Sequence, residues 1–387
     1  MRYMPGFSGP APDQHRGAKA GRSPRQPECY TSGLSTHFER AGRWFLASGI
    51  QLAGGGVARY YRADTQRNRT VSTEITGYAI SALVNLHGLT GDQRYLDRAQ
   101  AAARFLVHDG WLADLGAMPF ETDPPALSYF FDCGIIVRGL LAAWRATRTQ
   151  EFLDCAAAVG HSMARDFRAA DGWHPILMLP AKTPASRDAT SWSRMPGCYQ
   201  LKSAMAWWNL YRATGDSEFS VLYGESIDPA LANSAGFLPD AGGRLKTMDR
   251  LHAYLYFLEG LMPVVADNAK ARCALAGGIR QVSCLLHDIA PEFARADVYA
   301  QLLRIRILAD AAGAEPLDRE TAAAEARALA EFQAVSDDPR IDGGYWFGRK
   351  NGTYLPHVNP VSAAFAIEAL DLWERPAGAK QPGRPWI

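Results

Sequence analysis

The sequence predicts an all-α protein: one closed ring of six helical hairpins. Three observations carry that prediction. A helical hairpin recurs three times with equivalent turn residues, divergent copies follow it, and one unpaired helix at each end of the array can complete the other.

The first unit spans residues 73–107. Ile75, Tyr78, Ala79, Ala82, Leu83 and Leu86 fall on one face of a helix. Thr90-Gly91-Asp92 stops it. Gly91 suits a left-handed C-terminal position, and Asp92 suits the N-cap of the next helix. In that second helix Tyr95, Leu96, Ala99, Ala102, Ala103 and Leu106 are apolar. The unit returns at residues 131–167 and 199–231, where Thr147 and Thr214 stand in the place of Thr90. Turns of three residues are expected within the hairpins. Later first helices are expected to start near Leu251, Asp297 and Pro360, with partners near 271–286 and 319–332. The sixth first helix has no partner after it. The helix at 37–51 can supply one, which closes the ring and brings the chain ends together. The domain expected is residues 36–375. Residues 1–35, rich in Pro, Gly and Arg, read as a disordered tail, and 376–387 as a C-terminal tail.

Composition is ordinary for a globular protein, with 48% hydrophobic and 21% charged residues among 387. A balance of 41 Lys+Arg against 40 Asp+Glu excludes whole-chain electrostatic binding to nucleic acid or an anionic membrane. No run is long and apolar enough to span a bilayer. The N-terminal residues lack the apolar core of a secretory leader, so a cytoplasmic location is expected. The six cysteines form no CxxC pair and no zinc signature, and read as free thiols. No metal and no cofactor are expected. P-loop, GxGxxG, GxSxG and HExxH motifs are missing, as are the Asp-rich motifs of terpene cyclases.

The patterns TEITGYAISAL, TGDQRYLDRAQAAARFL and FDCGIIVRGLLAAWRAT resemble the (α/α)6 toroids of the six-hairpin glycosidase-like superfamily. That superfamily includes glycoside hydrolases, unsaturated uronyl hydrolases, polysaccharide lyases and N-acylglucosamine 2-epimerases, together with toroid proteins associated with exopolysaccharide synthesis. The resemblance covers about residues 36–375. It implies a carbohydrate substrate, with the polysaccharide-synthesis machinery as a partner, and a site at the N-terminal ends of the inner helices. Those ends carry partial positive charge and free N–H donors. The connectors leading to them are rich in aromatic and charged residues, as carbohydrate clefts are. Residues 54–62 contribute Arg59, Tyr60 and Tyr61. Residues 111–131 contribute Glu121, Asp123 and Tyr129. Residues 173–199 contribute His174, Arg187, Asp188, Trp192, Arg194 and Tyr199. Residues 343–359 contribute Tyr345, Trp346, Arg349, Tyr354 and His357.

Glycosidic cleavage needs one carboxyl to protonate the leaving oxygen and often a second as base or nucleophile. Asp132, at the start of the second inner helix, is the expected general acid. Where the family-like pattern is FDTG, this chain has FDCG. Glu74 at the start of the first inner helix, with Val71 in the N-cap place, or Asp249, is the expected assistant. A carboxylate at either helix start also simply stabilises the helix dipole. Related toroids often carry an acid directly before Thr-Gly-Tyr; here that position is Ile75. His252 and His357, at the openings of the fourth and sixth inner helices, form a second constellation. It suits proton abstraction beside a carbonyl and resembles that of the epimerases. Tyr78, Tyr129, Trp192, Tyr199, Tyr345 and Trp346 are expected to line or stack on sugar, Arg59 and Arg250 to meet a carboxylate, and Asp297 and Tyr299 to orient hydroxyls. Arg295 and Asp297 also read as an exposed ion pair of little weight. The favoured reaction is hydrolysis of an oligosaccharide or uronic-acid-containing glycan. A sugar epimerase or lyase using the histidines, and a non-catalytic glycan-binding component, are the alternatives.

Overall fold

The computed structural model of the chain describes residues 35–238 and 243–375. The expected tails lie outside them, except that Ser35 opens the first helix. Twelve α-helices among the described residues alternate between two rings. The inner ring holds α2 (Thr73–Thr90), α4 (Phe130–Thr147), α6 (Gln200–Thr214), α8 (Arg244–Leu261), α10 (Ala296–Ala311) and α12 (Pro360–Glu374). The outer ring holds α1 (Ser35–Ala47), α3 (Gln93–Phe105), α5 (Gln150–Asp166), α7 (Ser217–Ser234), α9 (Ala269–Ile289) and α11 (Arg319–Ala330). Each inner helix packs on the next, and α12 packs back onto α2, so the ring closes. As expected, α1 lies against α12 as its outer partner.

Burial explains which helices go inside. Every residue of α2 from Thr73 to Leu83 is buried, as befits a helix enclosed on all sides. In α3 the buried residues are Tyr95, Leu96, Ala99, Ala102 and Ala103, one stripe of an amphipathic helix. Glycine brings the inner helices close. A Cβ on Gly139 of α4 would sit 2.5 Å from the carbonyl oxygen of Gly77 in α2, and one on Gly134 would sit 2.5 Å from the Cα of Ser203 in α6.

The turns follow the same local chemistry. Gly91 and Gly215 are left-handed, at φ 71° and 79°, and Asp92 and Asp216 cap the helices that follow. The first three hairpins leave two residues between helices, one fewer than expected. The fourth and fifth hairpins turn through residues 262–268 and 312–318 and are capped by Asn268 and Asp318. The N-cap of α2 is Ser72 rather than Val71; its hydroxyl accepts from the Ile75 N–H.

The outer-to-inner connectors carry short antiparallel strands that tie neighbours together. Residues 127–129, which run directly into α4, pair with 176–178. Residues 293–295, before α10, pair with 348–350, and 61–62 pair with 357–358 before α12. Two connectors are short, residues 235–243 and 290–295, so the long loops crowd one side of the ring mouth. No helix among the described residues is long and apolar enough to cross a membrane. Five described cysteines are free thiols; Cys29 lies outside the described residues.

Candidate active site

A small cavity, open at its mouth, sits where the first four inner helices and their connectors converge. The start of α2 delivers Glu74, and the start of α4 delivers Phe131 and Asp132. Tyr199 comes from the residue before α6, and His252 and Tyr256 from successive turns of α8. The connectors add Tyr129, Pro175, Trp192 and Ser193.

Five of the lining rings form an unbroken belt. Tyr199 meets Trp192 at 5.0 Å between ring centroids, and Trp192 meets His252 at 5.3 Å. His252 meets Tyr256 at 5.5 Å, Tyr256 meets Phe131 at 4.7 Å, and Phe131 returns to Tyr199 at 6.2 Å.

Two carboxyls and one imidazole face this space. Asp132 is 4% exposed, and its Oδ2 has no hydrogen-bond partner. Burial, and then the negative charge of Glu74, push its carboxyl well above the usual range, so it holds its proton. Glu74 is 6% exposed. Burial raises it too, but Arg59 and Lys202 pull against that rise. The two carboxyls are therefore inequivalent: one favours the acid, and the other is the better supported as carboxylate. Among the described residues neither forms an ion pair. His252 is 1% exposed, and neither ring nitrogen has a hydrogen-bond partner; the Asp249 backbone favours the protonated ring without meeting it in bonding geometry. Burial and Arg295 hold the ring well below its ordinary pKa, so it is neutral.

A second layer fixes these groups. Arg295, fully buried, donates from Nε to Asp297 at 2.9 Å and from Nη1 to Asp249 at 2.7 Å. Asp249 accepts in turn from the Trp192 indole at 3.2 Å. The expected surface pair Arg295–Asp297 is thus buried, because the strand at 293–295 carries Arg295 under the connector. Behind Tyr256 lies a charged hub. Glu259 of α8 accepts from Lys202 of α6 at 2.7 Å and from Arg138 of α4 at 3.1 Å, and it also bonds Arg304 of α10. Arg304 reaches Glu368 of α12 as well. The Lys202 ammonium lies 4.8 Å from the Tyr256 ring centroid, 5.5 Å from that of Tyr78 and 4.5 Å from that of Phe365.

The cavity brings together six residues singled out in the sequence: Glu74, Asp132, His252, Tyr129, Trp192 and Tyr199. His252 is not at the opening of its helix. α8 begins at Arg244, so about two turns precede it. His357 does not line the cavity. It sits on the strand paired with residues 61–62, 4.9 Å from the Tyr60 ring, with Nε2 unpartnered. Burial and Arg62 lower its pKa. Tyr345 is 1% exposed in the hydrophobic core, so it presents no face to a sugar. Trp346 stacks on Tyr354, and Tyr299 packs on Phe332. Arg250 donates to the Phe237 carbonyl and covers the Phe237 ring. Arg59 lies over Phe120 and 3.5 Å from Glu121. Tyr78 is buried beside the hub and edge-on to Phe365. Asp249 and Asp297 serve Arg295 rather than the cavity.

Sequence reading passed over Phe131, Tyr256, Pro175, Ser193 and the hub. A signal existed for part of it. Glu259 falls seven residues after His252, and Arg304 seven after Asp297. That places each charge two turns further along the same face of an otherwise apolar helix.

A sugar epimerase from a ruminal bacterium superposes with a TM-score of 0.68 at 12% identity, covering 89% of this chain and 99% of that one. The cellobiose 2-epimerase of Spirochaeta thermophila gives 0.68 at 14% identity, covering 88% and 96%. An unsaturated glucuronyl hydrolase from Streptococcus agalactiae gives 0.62 at 11% identity, covering 89% and 92%. The fold is the (α/α)6 toroid. No protein-family model matches the sequence, and no curated protein matches it either. At these identities the toroid likeness speaks for architecture, and the reaction has to be argued from the cavity.

Proposed function

We propose that this toroid hydrolyses glycosidic bonds in a glycan, with Asp132 as general acid and Glu74 as its partner carboxylate. The observation that carries this reading is the pair itself. Two buried carboxyls without ion-pair partners share one cavity, and their surroundings push their proton affinities apart. Asp132 gives its proton to the glycosidic oxygen as the bond to the anomeric carbon breaks. Glu74 takes a proton from the water whose oxygen bonds to that carbon. Trp192, Tyr199 and Phe131 offer apolar faces to the sugar, and the dipoles of α2 and α4 support charge at their starts. Hydrolases among proteins of the same fold support the reading. The test is the appearance of new reducing ends from a panel of oligosaccharides. Asp132→Asn is expected to lower kcat by about a hundredfold to ten-thousandfold, while His252→Gln retains most of it. Unchanged turnover in Asp132→Asn overturns the assignment.

One observation favours a second reading, sugar epimerisation: His252 is neutral, unpartnered and in the same cavity. His252 would then take the proton from the carbon beside an open-chain carbonyl, with Asp132 polarising the oxygen and a solvent proton returning to the opposite face of that carbon. The two-histidine version loses a member, since His357 stands outside the cavity. Solvent deuterium at one sugar carbon, lost in His252→Gln, identifies this reaction.

A further inference from the structure

We propose that the cavity takes a sugar bearing a free amino group, its ammonium held between the Glu74–Asp132 pair and the aromatic belt. This rests on the hydrolytic reading for its chemistry and adds the substrate class. The residues lining the cavity include two acids and no lysine or arginine. The basic side chains around it are already engaged. Arg59 is over Phe120 and beside Glu121, Arg250 is on the Phe237 carbonyl, and Arg295 is between Asp249 and Asp297. Lys202 is on Glu259 behind Tyr256. A substrate carboxylate would meet Glu74 with no lysine or arginine among the described lining residues to receive it, whereas an ammonium would add a counter-charge inside the cavity to the positive charge that Arg59 and Lys202 exert from outside it.

The belt points the same way. Its rings line the same cavity as the acids, and aromatic faces attract a desolvated ammonium. One ring of the belt, Tyr256, already serves a cation in this protein, since Lys202 lies 4.8 Å from its centroid. The remaining rings and the cavity-facing atoms of Asp132 are left for the ligand. His252, the one belt member able to carry positive charge, is kept neutral and does not oppose it.

The experiment is calorimetric titration of wild type with four trisaccharides of one linkage: glucosamine, N-acetylglucosamine, glucose and galacturonate. The glucosamine trimer is expected to bind about tenfold tighter than each of the others, and Glu74→Gln to abolish that preference. Because acetylation alters the ligand alone, that comparison stands even where a variant folds poorly. Equal or tighter binding of the acetylated, neutral or acidic trimer overturns the proposal. Turnover is followed separately by reducing ends. Amine preference without cleavage defeats hydrolysis and leaves this inference standing; cleavage without amine preference does the reverse.

Discussion

Burial, and then the charge of Glu74, push the Asp132 carboxyl well above its ordinary range. That dependence is measurable. Replacing Glu74 by Gln removes the repelling charge but leaves the burial. The Asp132 carboxyl must then titrate at lower pH, and the alkaline limb of the residual kcat/KM profile must move in the acidic direction. Carbon-13 titration of labelled aspartate reads the midpoint directly. A midpoint that stays put means the two carboxyls do not feel each other. At this scale the sequence was half legible. Glu74 and Asp132 announced themselves as acids at helix starts, and Trp192 and Tyr199 as aromatics in a connector. Tyr256 did not, because a tyrosine inside an apolar helix reads as core until the neighbouring helices are in place. His357 misled for the opposite reason. It stands beside a helix start, but the strand before α12 holds its ring against Tyr60.

Between elements, the separation of the two acids is set by how closely α2 and α4 approach, and glycine sets that approach. Gly139 has room for hydrogen alone, since a methyl group there would lie 2.5 Å from the Gly77 carbonyl oxygen. Gly139→Ala is expected to cost about 1–3 kcal/mol in stability by forcing the helices apart. It should also lower kcat/KM although the residue touches no substrate. Thermal unfolding and steady-state kinetics check the two effects, and a variant as stable and active as wild type contradicts the close-packing account. Helix existence and pairing were readable from period and turn residues, which local chemistry dictates. The start of α8 was misread because Arg244, Lys246 and Asp249 obscure its apolar face, and burial of that face depends on elements distant in sequence.

Across the whole ring, the hub is what five inner helices share. Burial works to raise the Glu259 carboxyl, yet Arg304, Lys202 and Arg138 together hold it down to about 2. Lys202 is lowered as well, to about 7, because burial and the two guanidinium groups outweigh its bond to Glu259. One buried carboxylate serving three basic groups accounts for both shifts. The sign for Glu259 is that of a carboxyl lowered on folding. Its stabilisation is complete above the unfolded value of 4.5 and is lost as pH falls towards 2. Glu259→Gln strands buried cations and is expected to cost about 3–5 kcal/mol. Its chemical denaturation at neutral pH should lose that amount, while its acid sensitivity between those values diminishes. A loss below about 1 kcal/mol would mean that the hub is not an important tie.

In the proposed reaction a toroid cavity built around Asp132 and Glu74 adds water across a glycosidic bond. The most direct test is mass spectrometry of products formed in heavy-oxygen water from an amino-sugar oligosaccharide. Hydrolysis predicts one heavy oxygen at each new reducing end, with the label lost together with turnover in Asp132→Asn. Products without label, or an isomer of the substrate with its chain uncut, would contradict the account.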